Sequence, residues 1–150
     1  MATGVDTETA QRLRMVFGQL ARRLRPTEAS LAADLTPTRA AVLLNTVRNG
    51  PIRLAEVAEQ EGLNPTLLSR TVANLAQDGL VTRTADESDR RSAWLDATPA
   101  GRELAELIRA QRTHALQGAL AALAGEEREL VEAALPALEA LAERLREGSR

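Results

Sequence analysis

The sequence predicts a mainly α-helical chain with one small β-hairpin, and three observations predict it. Leucine, alanine and valine recur at helical spacing over most of the length; three of those stretches open on a capping residue followed by proline; only residues 80–97 break into two short extended runs. With 150 residues, 44% of them apolar, the chain is long enough to bury one good core. Phe17 and Trp94 are its aromatic residues, so aliphatic side chains must build the interior.

Leu13, Val16, Phe17, Leu20, Ala21 and Leu24 form an apolar stripe, predicting an amphipathic helix over residues 7–24 that Pro26 ends. Residues 27–35 read as a looser stretch. Thr36 then caps, and Pro37 opens, a helix through Val47, which Asn49-Gly50-Pro51 stops with turn chemistry. Leu54, Ala55, Val57 and Ala58 suit a short helix closed by Glu61-Gly62-Leu63, with Gly62 free to take the left-handed conformation of a sharp turn. Asn64 caps and Pro65 opens the next helix, which runs through Leu67, Leu68, Thr71, Val72 and Leu75 to Gly79. Two short helices joined through a glycine-containing turn make a helix-turn-helix. Leu80–Thr84 and Ala93–Ala97 have strand character around the polar run 85–92, so a hairpin wing follows. Thr98-Pro99 opens a long helix carrying Leu104, Leu107, Ile108, Leu116, Leu120 and Leu123; Gly125 breaks it. Leu130, Val131, Leu135, Leu138, Leu141 and Leu145 mark a last helix, in which Pro136 predicts a kink.

The first and the last two helices are more apolar than one small core requires, and a partner chain is the natural cover for the surplus. The chain is therefore read as a single domain, 1–150, with dimerisation helices at about 7–35 and 99–146 flanking a winged helix-turn-helix at about 37–98.

Several function classes drop out. With no cysteine and a single histidine, His114, the chain cannot supply a zinc site or a thiol switch, and no metal or cofactor is expected. No catalytic nucleophile, base and orienting group can be assembled, and no glycine-rich phosphate loop is present, so the chain is not read as an enzyme. The absence of a long apolar run and of a signal-like N-terminus predicts a cytoplasmic protein with no membrane partner. The net charge is −2, every basic residue is arginine, and the acids concentrate beyond residue 102.

A helix-turn-helix reads DNA with the N-terminal side chains of its second helix, here Pro65, Thr66, Ser69, Arg70 and Asn74. Arginine pairs bidentately with guanine and asparagine with adenine, while serine and threonine reach phosphates or either base class. The wing tip reads Asp86-Glu87-Ser88-Asp89-Arg90-Arg91. Three acids there would repel phosphate unless they hold the arginines. Asp89 is read as a brace for Arg91, the finger extended toward a narrow minor groove, and Arg90 as a phosphate contact.

Leu54-Ala55-Glu56-Val57-Ala58, Leu68-Ser69-Arg70, Leu75, Asp78-Gly79-Leu80-Val81, Asp89-Arg90-Arg91 and Thr98-Pro99-Ala100-Gly101 together resemble the MarR family of bacterial winged helix-turn-helix regulators. The clear match covers residues 52–101. Its specific part is the aspartate-arginine-arginine wing followed by threonine and then glycine at the head of a long helix. The resemblance implies an obligate homodimer whose terminal helices interlock and whose two wings and recognition helices read a palindromic operator. It further implies repression of its own or a neighbouring gene, relieved by a small organic ligand. Asp96 departs from the family, as an apolar strand residue is common there, and so does the aromatic-poor interior. A ligand pocket is expected where the first helix and those opened by Pro37 and Pro99 converge, with Arg14, Phe17, Arg39 and His114 as candidates. The competing reading is a winged helix that binds proteins rather than specific DNA, supported by the acidic balance.

Overall fold

Asp6 accepts a hydrogen bond from the Glu8 amide and caps helix α1 (Thr7–Leu24), which stops short of Pro26. This computed structural model describes residues 6–89 and 92–148. It divides the chain into two units, residues 1–112 and 113–150.

In the first unit, residues 27–35 depart from the looser stretch expected and form a short helix, α2 (Glu28–Ala32). Thr27 and Ser30 satisfy each other's backbone amides reciprocally, and the Gln111 side chain accepts from the Ala29 amide at 2.9 Å. The first of these devices is a capping box without a glutamate. The second comes from 82 residues away. Helix α3 (Pro37–Asn49) starts on the Thr36 cap and supplies Val42 and Leu43 to the core. Strand β1 (Ile52–Arg53) was not foreseen: two residues carry no periodicity, and the strand exists because Ile52 and Arg53 pair antiparallel with Leu95 and Trp94.

Helix α4 (Leu54–Glu61) ends on Gly62 at φ 63°, the left-handed geometry that a side chain would strain. Helix α5 (Pro65–Gln77) begins as expected, with Asn64 accepting from the Leu67 amide at 2.8 Å. Strand β2 (Val81–Ala85) starts one residue later than expected because Leu80 is spent in the core; β3 (Ala93–Ala97) falls as expected and lies between β1 and β2. Ala93, Leu95 and Ala97 point inward while Trp94 and Asp96 stay half-exposed, the alternation of a sheet packed on one face. The core gathers Val42, Leu43, Val57, Leu68, Val72, Leu75, Leu95 and Ile108.

Helix α6 (Pro99–Ala121) is locked to the hairpin by its first residues. The Thr98 hydroxyl donates to the Gly79 carbonyl at 2.6 Å and accepts from the Gly101 amide at 3.0 Å. A Cβ on Gly101 would collide with the Leu80 carbonyl, so the threonine-to-glycine spacing has a packing cause. In the second unit, the Glu127 carboxylate accepts from the Ala124 amide at 3.2 Å where helix α7 (Gly125–Gly148) begins. The helix continues through Pro136, and none of its residues is buried. The expected architecture, mainly helical with a small antiparallel sheet, is the one observed, with a third strand added to the hairpin.

Candidate nucleic-acid interface

Helix α5 separates its residues by face. Leu68, Thr71, Val72 and Leu75 are buried, with the Thr71 hydroxyl turned back onto the Leu67 carbonyl at 2.8 Å. Pro65, Thr66, Ser69, Arg70 and Asn74 are all exposed. Among the described residues Arg70 has no ion-pair partner, so its five donors face solvent rather than a structural acid.

One polar cluster ties α3 to α4, and one ion pair holds the end of α5. Between α3 and α4, the buried Asn45 amide donates to Gln60 Oε1 at 3.0 Å and Glu61 Oε1 at 2.7 Å, and Asn49 donates to Asn45 Oδ1 at 3.0 Å. Nearly every polar atom of Asn45 is thereby satisfied, as a buried amide requires. At the far end of α5, the Arg39 guanidinium pairs with the Asp78 carboxylate and donates to the Asp34 carbonyl at 2.9 Å. Asp78 had no role in the sequence reading beyond its place before Gly79.

The wing is organised from its base. Asp86 directly follows β2, and its carboxylate is 8% exposed. Oδ1 accepts from the Ser88 amide at 2.9 Å and the Ser88 hydroxyl at 2.7 Å. Oδ2 accepts from Trp94 Nε1 at 3.2 Å and pairs with Arg53 Nη2 at 3.1 Å. The Arg53 guanidinium also lies over the Trp94 ring, 5.0 Å from its centroid. The hydrogen bonds from the Ser88 hydroxyl and amide, followed by Arg53 and Trp94, hold the Asp86 carboxyl below its ordinary pKa against the opposing effect of burial. Sequence reasoning named none of Asp86, Arg53 and Trp94 as a site residue. A tryptophan beside a strand-end aspartate was the available signal.

Arg90 and Arg91 lie outside the described residues, and so does the proposed bracing of Arg91 by Asp89. Asp89 itself is exposed, and its carbonyl accepts from the Ser92 amide at 2.8 Å. Asp96 pairs with Arg102 at 2.9 Å and accepts from the Ala97 amide at 2.8 Å, which explains a carboxylate where an apolar residue was expected.

Of the four ligand candidates, Arg14 and Phe17 belong to α1, Arg39 to α3 and His114 to α6. Arg14 and Phe17 are exposed on α1, and Arg39 is engaged by Asp78 and Asp34. His114 is exposed and belongs to the second unit. Arg112, which the sequence did not single out, donates to the Arg25 carbonyl at 3.2 Å; burial, then the neighbouring Arg25 charge, lowers its pKa.

Comparison with known proteins agrees with this geometry. Residues 33–92 match the sequence model of the MarR family. The uncharacterized HTH-type transcriptional regulator YwhA of Bacillus subtilis (strain 168) is 26% identical over 81 residues, which cover 54% of this chain and 58% of that protein. The match thus spans little more than half of the relative's length. The crystal structure of MarR superposes with a TM-score of 0.75 at 24% identity, covering 88% of this chain and 98% of MarR. A mutant of S. aureus MepR, solved bound to an oligodeoxyribonucleotide, gives a TM-score of 0.60 at 19% identity over 89% of this chain and 97% of its own. The resemblance to the MarR family read from the sequence thus finds a family-model match over residues 33–92, and the solved structures share the fold.

Proposed function

We propose, from the MarR-family match over residues 33–92, that this chain is a sequence-specific regulator of transcription that binds double-stranded DNA as a homodimer. One observation carries the reading: the unpaired polar face of α5, with Arg70 and Asn74 presented beside a wing. In MepR the same fold is seen with an oligodeoxyribonucleotide. Each half of a palindromic operator takes one α5 in the major groove and one wing in the adjoining minor groove. Arg91 is the inserted finger, braced by Asp89, and Arg90 contacts phosphate. The regulator represses its own or a neighbouring gene and is released by a small organic ligand.

The exposed apolar residues of α1 and α7, among them Phe17, Leu20, Leu130 and Leu135, support the dimer. Among the described residues no helix is long and apolar enough to cross a membrane. The net charge of −2 favours the second reading, a winged helix that binds protein. Anisotropy titration against the duplex upstream of its own gene, with excess random competitor at stated salt, separates the two. DNA recognition predicts saturable binding by two subunits, and Arg91→Ala should cost about 1–3 kcal/mol on that duplex. A loss no larger on operator than on random duplex makes Arg91 a phosphate contact only.

A further inference from the structure

We infer that Asp86 is a positioning residue for DNA binding, fastening the wing loop to β1 and β3 so that the wing meets the duplex in one conformation. The inference rests on the DNA-binding reading above. Asp86 is the only charged residue among the buried ones described, a placement that costs free energy unless every oxygen is satisfied. Both oxygens are: Oδ1 by the two donors of Ser88, Oδ2 by Trp94 Nε1 and Arg53 Nη2. The Asp86 amide also donates to the Ser92 carbonyl at 3.0 Å, so both ends of the loop 86–92 converge on this one residue. Trp94 and Arg53 sit opposite each other on paired strands and stack, which makes a rigid floor for the carboxylate. The loop so held is the one that carries Arg90 and Arg91.

The charge makes the inference testable by sign. A carboxylate in a loop facing phosphate opposes binding electrostatically, so neutralising a bystander tightens the complex. Neutralising a positioning residue loosens it. Asp86→Asn keeps the shape and one acceptor but loses the ion pair with Arg53. In the full-length protein it should weaken binding to the duplex upstream of its own gene roughly tenfold. The slope of log affinity against log salt should stay the same, since no phosphate contact is removed.

Trp94 is the single tryptophan, so its emission and its quenching by acrylamide report the same loop without DNA. Both should change in Asp86→Asn. Ser88→Ala, at an exposed position that does not threaten the fold, should weaken binding in the same direction by less, and the double variant should fall short of the product of the two effects. Unchanged or tighter binding by Asp86→Asn overturns the inference, as does weaker binding with an unaltered Trp94 signal. A salt slope lowered by about one unit also overturns it, because a phosphate contact would then have been lost. Failure of the unaltered protein to bind any duplex sinks the DNA-binding reading first, before any variant is compared.

Discussion

In α3 and α5 the apolar stripe is consumed within the chain, whereas α1 and α7, with the same periodicity, contain no buried residue at all. Leu43 is 0% exposed; Leu130 is 71% exposed. Amphipathic spacing reports that a helix has an apolar face and is silent on what covers it. The central helices close on a sheet and on each other, so their apolar area counts toward folding of one chain. For the outer helices the same area is available to association. The contrast extends to polar groups: the central region buries Asn45 and Asp86 with full sets of partners, while the ion pairs of α7 join neighbouring turns on the surface.

Leu43→Ala should have the largest effect, about 2–5 kcal/mol of unfolding free energy, because the methyls removed leave a cavity in a packed core. Chemical denaturation measures it, and a loss under about 1 kcal/mol would mean that the core closes over the missing methyls. Next comes Leu130→Ser with Leu135→Ser on α7. Each leucine buried at an interface contributes roughly 1.5 kcal/mol, about tenfold in the dissociation constant of a dimer. Sedimentation should show dissociation at micromolar protein with little change in helix content. A dimer unmoved by the pair would remove α7 from the interface.

A third test uses pH. The Asp86 carboxyl is held below its ordinary value of 3.8, so the stability it confers is fully present above 3.8 and fades as pH falls through the lower, folded-state value. The melting-temperature gap between the unaltered protein and Asp86→Asn should therefore be constant near neutrality and close in strong acid. A gap that widened with acid would reverse the sign of the shift. The smallest effect belongs to Arg144→Ala, which breaks an exposed pair with Glu147 and should change stability by no more than about 0.5 kcal/mol.

Much of this contrast was legible beforehand. Asn64-Pro65 and Thr36-Pro37 act on amides three residues away, so helix starts followed from adjacent chemistry. The exposed face of α5 followed from its buried face by period alone. What was missed has long-range causes. Residues 27–35 looked loose because the Gln111 contact with Ala29 cannot be seen locally, and β1 is too short to show a pattern. Asp89 is read as a brace for Arg91 because it stands two residues before it, and Arg91 lies outside the described residues. Asp86, counted only as one acid among three, binds several partners that its neighbours in sequence do not reveal.

The sequence by itself determined the long helices, the starts of α3, α5 and α6, and which side chains of α5 face outward, since capping and amphipathic period act within one or two turns. Only the tertiary structure decided that Thr98 and Gly101 clasp the hairpin, that Arg39 anchors the end of α5 through Asp78, and that Arg53 and Trp94 receive Asp86. The physical reason is that a charge or a missing Cβ acquires its role from the groups that burial brings against it, and those groups arrive from elsewhere in the chain.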